Sequence, residues 1–169
     1  RRRSRNGWGC CEEAEEEAML ILGLDPGTTQ TGWCELFDYG HVEAGVADND
    51  DILNKKVLDQ YLYDAVVIEQ VESYGMAVGR EVFTTVWWSG RLYQEALPRS
   101  GCVEMMPRKT VKLHLCGSMK AKDANIRAAL IDRFGGVAAT KKGGVLHGVK
   151  SHSWAALALA VAFLDLHRP

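Results

Sequence analysis

GVKSHSWAALALAV, residues 148–161, is a polar turn that leads into an apolar helix. We predict this helix over 152–167, capped by Ser151, because an apolar run of this length is typical of a buried core helix. Its first turn holds His152, which an apolar helix does not need for packing. Ala155 follows three residues later, on the same helix face. The start of this helix is therefore a candidate functional position, and the rest of the chain must supply its partners.

Strand patterns and helix patterns alternate through the rest of the chain. We predict strands over 19–25, 32–38, 40–47, 65–71 and 101–107, and further helices over 49–64, 82–97, 107–117 and 122–136. The corner at Asp38-Tyr39-Gly40 predicts a hairpin between the second and third strands. Three strands in a meander, followed by strands alternating with helices, predict an α/β fold with a mixed five-stranded sheet flanked by helices.

Charge separates the chain into regions. Residues 1–18 combine an arginine cluster with CEEAEEEA, a pattern typical of a disordered tail, so we expect a single domain over 19–169. Residues 1–97 hold 8 Lys and Arg against 18 Asp and Glu, whereas residues 98–150 hold 11 against 3. This asymmetry favours a face that binds a polyanion. The alternative is that both signs interleave on the folded surface.

Cysteine usage and hydropathy bear on the compartment. The five cysteines are odd in number and lack metal-ligand spacing, which favours reduced thiols. No apolar run approaches the roughly 18–20 residues needed to span a bilayer, and the opening residues lack the apolar segment of a signal peptide. We therefore expect a cytoplasmic protein.

Three side chains able to bind a metal stand at unusual points. Asp25 ends the first predicted strand, Glu69 lies inside the apolar strand VVIEQ, and His152 opens the last helix. A carboxylate inside a buried strand is costly unless it is paired or binds a metal. Each residue also has an ordinary explanation: a turn former, a buried ion pair and a locally bonded histidine. Together they predict a Mg²⁺ or Mn²⁺ site, and two such ions can drive phosphodiester hydrolysis.

Three blocks carry a family resemblance. ILGLDPGTTQTGW (21–33), AVVIEQV (65–71) and SHSWAALALAVA (151–162) resemble the active-site blocks of RuvC-type Holliday junction resolvases, members of the RNase H-like superfamily. The resemblance covers roughly residues 19–166, and the unusual loops are closer to the phage branch. It implies an RNase H-like fold and a homodimeric, metal-dependent endonuclease that nicks four-way DNA junctions symmetrically. It also implies a location in the bacterial or phage-infected host cytoplasm.

The resemblance assigns roles to individual residues. Asp25 and Glu69 match the first two metal carboxylates, and His152 matches a position that the family fills with an acid or histidine. Ala155 falls on the family's second aspartate position. An alanine introduced in place of aspartate and a natural branch with three ligands both explain Ala155, and a natural pseudoenzyme is a third explanation. Lys122, in SMKAKDANIRAAL (118–130), resembles the family's lysine before the penultimate helix, and the resemblance implies a catalytic role for it.

Basic residues surround these blocks. The first group lies within fifteen residues and comprises Arg108, Lys109, Lys112, Lys120 and Lys122. We predict phosphate contacts for it, with a solvated basic face as the alternative. Lys141, Lys142 and Lys150 flank the glycine-rich loop before His152 and are predicted to close over the cut strand.

The loop over 72–81 follows the strand that holds Glu69. There Tyr74 or Met76 is predicted to wedge between bases at the junction centre. Trp87, Trp88 and Tyr93 stand at helical spacing and are predicted to lie in the core or at a dimer interface.

Two other functions stay open. LGLDPGTTQTG also resembles the first phosphate loop of actin-like sugar kinases and chaperone ATPases, although no second phosphate loop is visible. Alanine at position 155 leaves room for a protein that binds DNA junctions without cutting them.

Overall fold

The sheet of this protein is the mixed five-stranded sheet that the sequence predicts. A computed structural model describes residues 18–168 apart from residues 39, 74 and 76, and all their side chains except those of Lys55 and Lys56. The strands are β1 (Leu20–Pro26), β2 (Gln30–Phe37), β3 (His41–Asp48), β4 (Tyr63–Gln70) and β5 (Ser100–Pro107). Their order in the sheet is β3-β2-β1-β4-β5, and the β1–β2–β3 meander is antiparallel. Both β4 and β5 continue the sheet in parallel pairing.

Two predictions fall on residues outside this description. The predicted tail covers residues 1–18, of which 1–17 lie outside the described residues, as do Tyr74 and Met76. Among the described residues, Cys34, Cys102 and Cys116 carry free thiols. No helix in the described part of the chain is long and apolar enough to cross a membrane.

Helices cover both faces of the sheet. They are α1 (Asn49–Asp51), α2 (Arg80–Ala96), α3 (Arg108–Cys116), α4 (Asp123–Arg133) and α5 (Ser153–His167). One core lies between the sheet and α3, α4 and α5, and contains almost the whole of α5. The other lies on the opposite face, beneath α2 and the segment that precedes β4. β1 and β4 are buried by both layers, which explains their nearly continuous apolar sequences.

The predicted helix over 49–64 is wrong in length. Helix α1 is short and continues only as a π-helical turn, Ile52–Lys56. The chain then turns, and Tyr63 begins β4, with its hydroxyl 2.9 Å from the carbonyl oxygen of Val57. Burial of Tyr63 in the sheet therefore overrides the helical spacing of the apolar residues before it.

The predicted cap of the last helix is also wrong. Ser151 has a left-handed backbone with φ of 52°, and α5 begins at Ser153. The Ser153 hydroxyl donates to the carbonyl oxygen of Lys150 at 2.6 Å and accepts from the N–H of Lys150 at 3.0 Å. Ser153 therefore closes the turn before α5, and His152 occupies the position before the first helical residue.

Candidate active site

Two carboxylates lie side by side where two parallel strands end. The pairing of β1 with β4 reaches Leu24 opposite Ile68, so Asp25 and Glu69 are the next residues on each strand. Both belong to the strand positions that face α5, as Gly23 and Val67 do. Their side chains are 13% and 15% exposed. The sheet therefore brings two nearly buried acids to one point, as the sequence predicts.

Two glycines let α5 approach this point. Gly32 pairs with Asp25, and a Cβ on Gly32 would stand 2.6 Å from the carbonyl carbon and oxygen of His152. A Cβ on Gly23 would stand 2.1 Å from the carbonyl oxygen of Ala156. Any larger residue would push the start of α5 away from the strands. The glycines thus set the distance between the sheet and His152.

His152 completes the predicted trio. Its Nδ1 lies 3.2 Å from Oδ2 of Asp25, and its side chain is 67% exposed. The ring therefore contacts the buried carboxylate with one nitrogen and reaches toward solvent on its other side. A histidine in this position can exchange protons between the carboxylate and an incoming group.

The electrostatics of the site favour added positive charge. Burial, the charge of Glu69 and a hydrogen bond with Glu69 raise the pKa of Asp25 to about 8 from its ordinary 3.8. Two nearly buried carboxylates that share a hydrogen bond resist simultaneous ionisation. A cation between them would relieve the repulsion.

Arg108, the first residue of α3, already supplies one positive charge. Its Nη1 donates to both oxygens of Glu69, at 3.1 and 2.9 Å, and its Nη2 donates to Oδ1 of Asp123 at 2.7 Å. Burial alone would lower the pKa of Arg108, but the two acids outweigh it and raise that pKa. The hydrogen bond from Arg108, with its charge, holds the pKa of Asp123 below its usual range. Arg108 thus joins the strand carboxylates to α4.

These groups line one pocket with a cavity volume of about 380 Å³. Asp25, Glu69, Arg108, Asp123 and His152 form its polar wall. Its apolar wall comes from α3, α4 and α5, namely Val111, Ile126, Trp154, Ala155, Ala158 and Leu159. The guanidinium of Arg127 lies 4.8 Å from the Trp154 ring at this wall. Ala155 therefore offers a methyl group to the pocket that Asp25, Glu69 and His152 also line.

The predicted site residues divide into two sets. Asp25, Glu69, His152, Ala155 and Arg108 meet in this pocket. Seven predicted DNA-binding lysines do not line it, namely Lys109, Lys112, Lys120, Lys122, Lys141, Lys142 and Lys150. All of them except Lys112 are exposed. Lys109 and Lys112 line an adjacent cavity of about 360 Å³, which shares Glu69 and Arg108 with the pocket. DNA contact by these lysines stays a prediction.

Asp123 is the residue that sequence reasoning missed. It stands in the first turn of α4, where an acid is common because it stabilises the helix N-terminus. Its position directly after Lys122, within the basic segment, was the available signal. Only the packing of α4 beside α3 shows that Asp123 shares Arg108 with Glu69.

The donor groups of the site fit a divalent cation that keeps part of its water shell. Among the residues described, no group of three His, Cys, Asp or Glu side chains forms a metal-holding cluster on its own. Mg²⁺ and Mn²⁺ are commonly bound by one or two carboxylates, with water completing the shell. The adjacent oxygens of Asp25 and Glu69, and the repulsion between the two acids, fit that kind of partial shell. His152 contacts Asp25 and could supply a nitrogen ligand.

Solved structures share this fold. A Thermus thermophilus RuvC structure has a TM-score of 0.67 at 20% sequence identity, covering 88% of this chain and 96% of that chain. T. thermophilus RuvC in complex with a Holliday junction substrate has a TM-score of 0.65 at 21% identity, covering 89% of this chain and 95% of that chain. No protein-family model and no curated protein matches the sequence. The predicted RNase H-like α/β fold is therefore confirmed.

Proposed function

We propose that this chain is a structure-selective endonuclease that cuts branched DNA, four-way junctions above all, by metal-dependent phosphodiester hydrolysis. The observation that carries the proposal is the contact between Asp25 and Glu69, which follow the last pair of the β1–β4 register, with His152 3.2 Å from Asp25. Buried paired acids are costly, so their presence favours a role in binding a cation. The RuvC fold, solved elsewhere with a Holliday junction substrate, supports the choice of substrate.

The residues have separate roles in this proposal. Asp25 and Glu69 would hold Mg²⁺ or Mn²⁺, which supplies water activation and stabilises the leaving oxygen when it is bound. His152 orients the Asp25 carboxylate through Nδ1 and can move a proton at Nε2. The exposed Lys122 precedes Asp123, which lines the pocket, and would hold a phosphate of the DNA.

The adjacent cavity supports a path for the DNA backbone. It runs on from the carboxylate pocket through Glu69 and Arg108, and contains Lys112 and Lys109, whose Nζ also donates to Glu72 at 2.9 Å. Phosphates along this path would meet positive charge before reaching the acids, which makes binding depend on salt concentration. The predicted contacts of Lys120, Lys141, Lys142 and Lys150 would extend the same surface.

A homodimer is part of the proposal, because symmetric cutting needs two equivalent sites. Helix α2 carries an exposed apolar stripe of Phe83, Val86 and Trp87 at helical spacing. Phe83 is 64% and Trp87 is 56% exposed, although Trp88 one residue later is buried. An exposed aromatic stripe of this kind supports an interface between two copies.

Ala155 favours one alternative, a protein that binds junctions without cutting them. A methyl group lines the pocket at the place where an aspartate on the same helix face would add a carboxylate. Loss of one acid leaves the DNA-binding surface intact. The alternative therefore predicts junction binding with no cleavage at any metal concentration.

The deciding experiment measures nicking of a synthetic four-way junction in Mg²⁺ and in Mn²⁺. It compares the unmodified chain with Ala155→Asp, and uses a linear duplex of the same arm sequence as the substrate control. Paired nicking by both forms means that Asp25, Glu69 and His152 suffice. Nicking by Ala155→Asp alone means that alanine disables the site. Junction binding by both forms without nicking rejects the endonuclease and favours the binding protein.

A further inference from the structure

Arg108 occupies the carboxylate pocket rather than the protein surface. Both Glu69 oxygens accept hydrogen bonds from one of its nitrogens, and Asp123 accepts from the other. Its side chain is 34% exposed, and it links the nearly buried Glu69, 15% exposed, to the exposed Asp123, 75% exposed. A guanidinium that satisfies two carboxylates does electrostatically what a bound cation would do there.

The backbone fixes this placement. Met106 pairs with Glu69 in the β4–β5 register, and Pro107 pairs with Gln70. Arg108 follows at once and begins α3, so its Cα is held beside the strand end that carries Glu69. The side chain has little freedom to be elsewhere without losing both acids. Its position is therefore set by the same strand ends that position the site.

We propose that Arg108 is the internal counter-ion of this pocket and competes with the divalent cation for Glu69. The inference rests on the metal site of the proposed function and adds a residue that controls its affinity. A cation that binds Glu69 directly needs an oxygen that Arg108 now holds. The competition is reciprocal: the cation displaces Arg108, and Arg108 weakens binding of the cation by the same factor. Arg108 is thus a positioning residue that sets how much metal the site requires.

A matched arginine provides the control. Arg99 lies just before β5, at the opposite end of the strand, and also bridges two acids, Asp59 and Glu95. None of these three residues lines the pocket. Replacing Arg99 removes the same charge and the same number of ion pairs from the chain. It changes nothing at the strand ends that hold Asp25 and Glu69.

The test is calorimetric titration of Mn²⁺ into the DNA-free protein and its variants. We expect Arg108→Gln to bind Mn²⁺ about tenfold more tightly than the unmodified chain, within the usual range of such couplings. Arg108→Lys keeps a positive charge and should stay close to the unmodified chain, as should Arg99→Gln. Unchanged or weaker binding by a folded Arg108→Gln overturns the inference. Equal tightening in Arg108→Lys also overturns it, because packing and not charge would then be responsible.

A second readout does not depend on any substitution of Arg108 that disturbs folding. In ¹H–¹⁵N spectra of the unmodified protein, the Arg108 guanidinium signals should shift along the Mg²⁺ binding curve, whereas those of Arg99 stay fixed. If the unmodified chain binds the metal and the Arg108 signals do not move, the competition is wrong and the metal site stands. If neither the unmodified chain nor Arg108→Gln binds metal, the metal site of the proposed function fails and the inference fails with it.

Discussion

The backbone of Gly32 lies directly against the backbone of His152. Because a Cβ on Gly32 would stand 2.6 Å from the His152 carbonyl group, the two segments can meet only while position 32 lacks a side chain. Gly32 is also the β2 partner of Asp25. One glycine therefore determines how closely the imidazole of His152 approaches its carboxylate.

We predict that Gly32→Ala separates the start of α5 from the strands. The expected cost is about 1–3 kcal/mol of the free energy of unfolding, typical of a substitution that overpacks a core. Chemical denaturation measures it, and junction nicking should fall as His152 moves away from Asp25. Gly40→Ala is the control, since a Cβ there meets nothing within 4 Å. Equal stability of both variants would contradict the close contact.

We predict that Asp25→Asn and Glu69→Gln each stop cleavage and leave junction binding intact. Loss of a metal carboxylate removes several kcal/mol of transition-state stabilisation, so nicking should fall by roughly a thousandfold. Single-turnover nicking measures the rate, and mobility shift in EDTA measures binding. A variant that loses binding and nicking in proportion would assign these acids to DNA affinity instead.

A pH dependence of stability is predicted at the opposite face of the sheet. Burial, above all, raises the pKa of Glu35 from its ordinary 4.5. The Tyr63 hydroxyl lies 2.6 Å from Glu35 Oε1 and 2.9 Å from the Val57 carbonyl oxygen, and has one proton to donate. The hydrogen bond that Tyr63 donates to Glu35 favours the ionised carboxylate and lowers the pKa, but burial outweighs it. The folded chain therefore favours the neutral acid more than the unfolded chain does.

Because the folded pKa lies above the unfolded one, this stabilisation is complete below about pH 4.5 and is lost as the pH rises through the folded value. We predict that Glu35→Gln removes this slope. The unmodified chain should lose on the order of 1 kcal/mol relative to the variant on going from acid to mildly alkaline pH. Denaturation midpoints at several pH values measure it, and parallel curves would count against a raised pKa.

We predict that Trp87→Glu prevents dimer formation. The substitution places a charge in the middle of the exposed stripe on α2, where an interface would have to desolvate it. Sedimentation equilibrium should give the mass of two chains for the unmodified protein and of one chain for the variant. Leu62→Glu is the control, because Leu62 is exposed but lies outside α2. A monomeric unmodified chain would remove the dimer from the proposal.

The sheet was predictable because β1 and β4 carry apolar runs that only a covered sheet can bury, and because a tight corner joins β2 to β3. The segment between β3 and β4 was not, since Tyr63 makes long-range contacts that compete with local helix spacing. Local pattern has no information about such contacts. The predicted helix boundary is therefore wrong where the buried Tyr63 side chain bonds to the backbone of Val57.

The candidate site shows the same division. Asp25 and Glu69 stand out because each is an acid in or at the end of an apolar strand, and His152 stands out because it opens an apolar helix. Asp123 does not stand out. For Arg108, the sequence predicts a phosphate contact because its neighbours in sequence are basic. Both acquire a role at the carboxylates only through the packing of α3 and α4. A group whose surroundings are assembled from distant segments leaves no local signal.

Helix α5 has a consequence for how the protein is made. It fills the core against β1 and β2, and His152 meets Asp25 across 127 positions of sequence. During synthesis, β1 therefore leaves the ribosome long before the helix that covers it, and must wait with one apolar face open. A nascent chain that lacks α5 cannot close this core, so Asp25 has no His152 beside it. The site is assembled only when α5 packs on the sheet, late in synthesis. This order favours chaperone protection of the early strands, and the long sequence separation favours slow folding.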